Sequence, residues 1–276
     1  MAEAVLPSLD TPYELTGAQI DAYREKGHIR LEGVCSPEEI AVYRAAIVDA
    51  AMRHNRESRP MEERDTYGKA FLQIMNLWTV DEAVRHFTLS PRFAGIAAQL
   101  MEVDGVRLYH DQALFKEPGG GHTPWHQDQF YWPLGTDRTV TMWMPLVDIS
   151  EVMGSMTFAD GSHRDGFIVI DDEISDASEA YFDRFVAERG FELVTSGAMQ
   201  AGDATFHSGW TLHRAPGNVT DRVREVMTII YYPDGTPVSE PTSHFQVADH
   251  QTWLHSIPAG ELAAGPLNPL VFPAAR

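Results

Sequence analysis

The sequence has a single cysteine, Cys35, among 276 residues. That excludes an intrachain disulfide and a cysteine-ligated metal cluster, so a bound metal would have to be held by histidine and carboxylate. Cationic residues are scarce: 21 Lys and Arg stand against 40 Asp and Glu, a formal net charge of −19. A surface of that sign repels nucleic acid and anionic membranes. It also disfavours a ligand bearing many phosphates unless a local basic pocket reverses the field. Long apolar runs are missing, and Met1-Ala2-Glu3-Ala4 carries no basic stretch. Neither a signal peptide nor a membrane span is expected, and a cytoplasmic location is the default. No repeat, low-complexity tract or linker interrupts the chain. Its ordinary globular composition therefore predicts one domain over 1–276, with ample apolar residues for one large core.

What is present divides in two: a helical part over about 15–104 and a strand-rich part over about 105–250. Ile20 and Tyr23 sit at helical spacing between Thr16 and Lys26, and Gly27 is placed to end that helix. His28 to Leu31 reads as a short strand. Ser36-Pro37-Glu38-Glu39 combines a capping box with proline in the first turn. Ile40, Tyr43, Ala46, Ile47 and Ala50 then give one apolar face, which predicts a helix to about His54. Residues 55–67 are polar and read as a loop. Phe71 to Trp78 is apolar with Gln73 and Asn76 interspersed, and Ser90-Pro91 opens another helix to about Leu100.

After Gly105 short strands follow one another between Gly- and Pro-containing breaks: Val106–Phe115, a strand carrying His126 and Asp128, Thr139–Val147, Ser155–Ala159, Gly166–Ile170, Phe191–Thr195, Ala204–His207 and Arg224–Tyr232. Residues 176–189 form a helical or irregular insertion, and the segment from Pro258 wraps the surface. Helices first and antiparallel strands afterwards predict an α+β fold on a sandwich or barrel core.

The chemistry gathers around Trp125-His126-Gln127-Asp128-Gln129-Phe130-Tyr131-Trp132. On a strand, His126 and Asp128 point to the same side and can occupy adjacent positions on a metal ion. A third ligand must come from elsewhere, and His213 is the candidate; His207, six residues earlier, and His163, in a Gly-Ser-His turn, are the other choices. Two histidines and one carboxylate suit non-haem Fe(II) and leave positions open. Beyond His213 come a tight turn at Pro216-Gly217-Asn218 and then Arg224, which shares a strand face with Val226, Thr228 and Ile230. A guanidinium pointing into a core needs a partner. The partner is either a carboxylate cosubstrate held by the planar fork or one of the many acidic side chains.

These residues, with Lys116-Glu117-Pro118-Gly119, Gly154, Asp160-Gly161-Ser162-His163 and the opening from Leu15-Thr16, resemble the phytanoyl-CoA dioxygenase family of Fe(II)- and 2-oxoglutarate-dependent oxygenases over about residues 15–235. The resemblance implies a double-stranded β-helix (jelly-roll, cupin-like) core with N-terminal and flanking helices. It implies that His126, Asp128 and His213 hold Fe(II). Arg224 would bind the distal carboxylate of 2-oxoglutarate, with Arg222 as second choice on the same strand face, and Trp143 and Gln112 would lie beside the cosubstrate. Ala215 departs from relatives that carry a small hydroxyl residue two places after the last triad histidine. The reaction implied consumes O2 and 2-oxoglutarate, releases succinate and CO2, and oxidises a small organic substrate. Halogenating relatives lack the carboxylate, so Asp128 favours hydroxylation.

Gln73, Asn76, Trp78, Gln129, Phe130, Tyr131, Trp132 and Trp210 are candidates for the substrate wall. Aromatics crowding the metal segment suit a ring-bearing or amphipathic small molecule, such as a secondary metabolite. No basic cluster is evident for an acyl-CoA nucleotide. Two other classes remain: a cupin-like isomerase or hydrolase, which would not need Arg224, and a jelly-roll binder without turnover, against which the intact ligand set argues.

Overall fold

The computed structural model describes residues 6–168 and 176–273. The N-terminal part carries α1 (Gly17–Lys26), β1 (His28–Leu31), α2 (Pro37–His54), α3 (Thr66–Ala70), β2 (Leu72–Met75), α4 (Glu82–Thr88) and α5 (Pro91–Met101). The first two helices begin where local chemistry dictates. Thr16 with Gln19, and Ser36 with Glu39, exchange reciprocal capping hydrogen bonds. Gly27 ends α1 at φ 79°, a conformation glycine adopts without strain.

The strand-rich part follows as β3 (Val106–Lys116), β4 (Thr123–His126), β5 (Val140–Pro145), β6 (Thr157–Ala159), α6 (Asp176–Arg189), β7 (Leu193–Thr195), β8 (Ala204–Ser208), β9 (His213–Ala215), β10 (Arg224–Pro233), α7 (His244–Trp253) and β11 (Leu270–Phe272). The major sheet has the order β1-β8-β5-β10-β3-β11, with β2 also paired to β3, and the minor sheet the order β4-β9-β6-β7. Every pairing is antiparallel. Two facing sheets in this order make the jelly roll.

Strand alternation divides the residues between two environments. Ala113 and Phe115 of β3, Met142 and Met144 of β5, and Met227 and Ile229 of β10 face outward and form one apolar cluster with α2, α4 and α5. Their neighbours face inward and line a cavity between the sheets: Gln112 and Leu114, Thr141 and Trp143, Thr228 and Ile230. Among the described residues no helix is long and apolar enough to cross a membrane.

Several expectations need correction. Residues 55–67 are not simply a loop: Met61–Glu63 form a 3₁₀ turn, α3 begins at Thr66, and Arg64 is buried against Glu117. Residues 166–168 are irregular rather than strand, and 169–170 lie outside the described residues. The segment after Pro258 does more than wrap the surface, since β11 pairs with β3.

Candidate active site

The cavity between the sheets has a volume of about 570 Å³ and brings together His126, Asp128 and His213. His126 ends β4, and its cross-strand partner on β9 is His213, with ring centroids 4.1 Å apart. Asp128 does not share the strand with His126 as the alternation argument had it. The strand stops at His126, and Asp128 opens a 3₁₀ turn, Asp128–Tyr131. Long-range bonds hold that turn. The Gln127 amide donates to the carbonyls of Gly166 (2.8 Å) and Trp210 (2.7 Å), and Gln129 N–H donates to Gly209 O at 3.0 Å. A Cβ at Gly209 would lie 2.1 Å from Thr139 Oγ1, so the close approach of this segment requires glycine.

The turn still delivers the carboxylate. Asp128 Oδ1 lies 3.5 Å from His126 Nε2 and 3.6 Å from His213 Nε2, and the three donor atoms fall within 4.8 Å of one another. His126 Nδ1 faces Pro124 O at 2.8 Å and His213 Nδ1 faces Thr211 O at 3.0 Å. Those carbonyls place the ring N–H at Nδ1 and leave the Nε2 lone pairs turned toward Asp128. The other oxygen, Oδ2, accepts from Thr141 Oγ1 at 2.7 Å and faces His207 Nε2 at 3.1 Å. Thr141 and His207 are cross-strand partners of β5 and β8. Burial alone would raise the Asp128 carboxyl, but His213, His126 and His207 hold it well below the usual carboxylate range. Burial, followed by the neighbouring His126, depresses His213. His207 thus backs Asp128 rather than joining the three converging donors. His163 lies outside the cavity, its Nε2 3.2 Å from Arg24 O.

Arg224 opens β10, is buried and lines the same cavity. Its Nη1 donates to Gly154 O at 2.7 Å, its guanidinium lies 5.2 Å over the Trp143 ring, and its Nε has no partner. Gly154, at φ 90°, makes room for it: a Cβ there would meet Pro216 O at 2.9 Å and Arg224 Nη1 at 3.2 Å. Burial lowers Arg224 to about 9. Among the described residues no acidic side chain pairs with it, which removes one of the two partners open at the sequence level. Arg222 is not its equivalent. It precedes the strand, is exposed, and turns Nη2 to Met153 Sδ at 3.5 Å.

Trp143 and Gln112 both line the cavity, and Gln112 Oε1 accepts from Gln73 Nε2 at 2.6 Å. Beside Arg224, its cross-strand partner Lys116 is fully buried, donates to Gly121 O, and lies 3.4 Å from Thr123 Oγ1. Burial and then Arg224 push its amine down to about 6. Thr123 lines the cavity directly across the strand pair from Ala215. A hydroxyl is therefore present at this level, on the opposite strand from the one expected.

Of the substrate-wall candidates, Gln73, Tyr131 and Trp132 line the cavity. Asn76 does not; its Oδ1 accepts from Trp78 Nε1 at 3.0 Å in a left-handed turn. Gln129 is buried against Thr139. Phe130 and Trp210 join Phe167 and Phe245 in a row of rings beside the 3₁₀ turn. The sequence reading missed Tyr67, His110 and the α7 face of Phe245, Ala248, Asp249 and Thr252. The signal was there in α7, since these four stand at i, i+3, i+4 and i+7.

The chain is similar to known proteins along most of its length. The chain is 25% identical to the 2-oxoglutarate-dependent carbocyclase SnoK of nogalamycin biosynthesis, covering 94% of this chain and 99% of that one with a TM-score of 0.75. It is equally 25% identical to the epimerase SnoN, solved with Fe3+, 2-oxoglutarate and nogalamycin RO, covering 92% and 97% with a TM-score of 0.74. A probable 2-oxoglutarate-dependent hypophosphite dioxygenase of Stutzerimonas stutzeri is 25% identical over 220 residues, 76% of each chain. The phytanoyl-CoA dioxygenase (PhyH) family model matches residues 23–226. With that match spanning most of the chain, the protein belongs to the PhyH family of iron- and 2-oxoglutarate-dependent oxygenases.

Proposed function

We propose that His126, Asp128 and His213 hold Fe(II), that Arg224 binds the distal carboxylate of 2-oxoglutarate, and that the protein hydroxylates a small organic molecule bound in the rest of the cavity. One observation carries this reading: a His/carboxylate/His donor set and a buried guanidinium without an acidic partner among the described residues open into one cavity. The donor set suits Fe(II), with two imidazole nitrogens and one anionic oxygen. When bound, iron and the keto acid supply the oxidising power, consuming O2 and releasing succinate and CO2.

The chain's own residues bind and orient. Pro124 O and Thr211 O fix the two imidazoles, and Thr141 with His207 occupies Oδ2 so that Oδ1 alone faces the histidines. Trp143 covers the guanidinium and keeps water from it, and the Thr123 hydroxyl adds a second contact to the cosubstrate carboxylate. The Asp128 carboxylate favours hydroxylation over halogenation, because a halide would need its coordination position. Arg224 counts against a cupin-like isomerase or hydrolase, which has no use for an oxoacid site, and the complete donor set counts against a binder without turnover.

A second reading has specific support. The carbocyclase and the epimerase match along nearly their whole lengths, so the oxidised carbon could instead close a ring or invert. Product mass separates the three outcomes: gain of one oxygen, loss of two hydrogens, or no change. The metal and cosubstrate assignment is tested by titrating the protein anaerobically with Fe(II) and then 2-oxoglutarate. The expected result is a visible charge-transfer band that needs both and disappears in His126→Ala. Iron binding with no band on adding the keto acid would overturn it.

A further inference from the structure

We propose that the substrate of this site carries a basic nitrogen, bound as an ammonium between the Asp249 carboxylate and the aromatic wall of Trp132, Phe245 and Trp253. The inference rests on the oxygenase reading and adds to it the chemical class of the substrate.

The cavity is polar at two ends of opposite sign. Arg224 pairs with Lys116 at one end of the β10–β3 ladder. Asp249 meets that ladder at the other end, accepting a hydrogen bond from Tyr109 at 2.9 Å. Tyr109 and Lys116 stand seven positions apart on β3, roughly 20 Å along the strand. The metal donor set meets the ladder near the Asp249 end, since Asp128 is bonded to Thr141, which pairs with Ile230, level with residues 109 and 110.

Asp249 is fixed in direction but not neutralised. Tyr109 and the Trp253 indole both donate to its carboxylate, and among the described residues no cation pairs with it. Burial pushes this carboxyl up to about 7, and a cationic ligand would bring it back to the charged form. Among the described residues, the side chains that line this end bring no unpaired positive charge against that cation. His110 is driven down to about 3 by burial and stays neutral, and burial raises the Tyr67 phenol. The other basic side chain on the cavity wall, Arg214, is paired with Glu179 and Asp183. Among the described residues, no cationic side chain is left free at this end to pair with an anionic substrate.

The rings complete the site. Trp253 lies 5.5 Å and Trp132 6.3 Å from the His110 ring, and Phe245 stands on the same face of α7 as Asp249. Aromatic faces beside a carboxylate are the environment that selects an ammonium group. The net charge of −19 steers such a ligand inward.

The test uses three probes of one shape: 1-naphthylmethylamine, 1-naphthylmethanol and 1-naphthoate. Each is titrated calorimetrically into the wild-type protein, both with and without Fe(II) and 2-oxoglutarate under anaerobic conditions. The amine should bind at least about ten-fold more tightly than the alcohol or the acid, about 1.4 kcal/mol. Asp249→Asn should erase that preference while leaving alcohol affinity within about two-fold. Equal affinities, preference for the acid, no amine binding to wild type, or a preference that survives in Asp249→Asn would each overturn the proposal. The wild-type comparison stands even if Asp249→Asn fails to fold. Loss of the charge-transfer band with the amine preference intact would instead indict the cosubstrate assignment.

Discussion

Replacing Arg224 with methionine should weaken 2-oxoglutarate binding while leaving the unliganded fold as stable as before, or more so. The two effects have opposite sign because the guanidinium is buried and has no acidic partner among the described residues. Burial takes it from 12.5 down to about 9. At about 1.4 kcal/mol per pH unit, a fall of about 3.5 corresponds to about 5 kcal/mol against the charged form in the folded state. For a base whose folded value is depressed, that cost is complete below pH 9 and is relieved only as pH rises through 9, so it is present in full at neutral pH. The hydrogen bond to Gly154 O offsets part of it. Methionine keeps much of the volume against the Trp143 ring and removes the charge, a kind of exchange that is often neutral or stabilising. With the cosubstrate bound, the same change leaves a carboxylate without its partner, at a cost of about 2–5 kcal/mol, or about 30- to several thousand-fold in affinity. Anaerobic titration of the charge-transfer band measures the affinity, and thermal denaturation without cosubstrate measures the fold. Affinity within about three-fold of wild type, or a midpoint lowered by several degrees, would refute the reasoning. Arg222→Ala is the matched control and should leave both readings unchanged.

Thr123→Val should lower 2-oxoglutarate affinity by about three- to ten-fold, the worth of one hydrogen bond. Adding Ala215→Ser should restore part of it, because the two positions face each other across the strand pair; the same titration reads both. Gly202→Ala should destabilise the fold by about 2 kcal/mol or more, since φ is +91° and a Cβ would lie 2.4 Å from Cys35 O. Chemical denaturation would show it, with iron binding by the folded protein unaffected. Lys116 gives a pH dependence. Its folded value lies near 6, below its ordinary 10.5, so between those values the folded state binds fewer protons than the unfolded chain. Stability from this group therefore rises with pH across that window, by up to about 1.4 kcal/mol per pH unit. Lys116→Met should flatten the rise between pH 6.5 and pH 9 in urea unfolding.

How far the sequence could be read depended on whether the cause was local. The capping boxes at Thr16 and Ser36 and the stop at Gly27 act within one turn, and all three were legible. So was the face shared by Arg224, Thr228 and Ile230, because strand alternation is itself local. The resemblance supplied the partnership of His126 and His213, which sit together because β4 and β9 pair. The turn at Asp128 was misread because the contacts that hold it run from Gln127 and Gln129 to residues 39 to 83 positions away. Arg222 and Arg224 differ only in where β10 begins, and element boundaries are what sequence patterns fix least well. The α7 face was missed because none of its residues is buried in the core. Its apolar and acidic positions answer to a cavity that exists only once the sheets have closed.

The closed sheets also resolve a difficulty raised by the charge of the chain. A protein of net charge −19 repels a dicarboxylate at long range, yet a site for 2-oxoglutarate must attract one. Surface charges are screened within about 8–10 Å at physiological salt, whereas buried charges are screened much less. One guanidinium taken inside the jelly roll, under the Trp143 ring and without an acidic partner among the described residues, can therefore outweigh many exposed carboxylates at short range. Lys116 reinforces this on demand. Held close to neutrality by burial and by Arg224, it regains its proton when a carboxylate arrives beside it. Cosubstrate binding above pH 6 should then take up protons from solution, and calorimetric titration in buffers of different ionisation enthalpy would detect that uptake. An enthalpy of binding independent of the buffer would show that Lys116 stays neutral and that Arg224 acts alone.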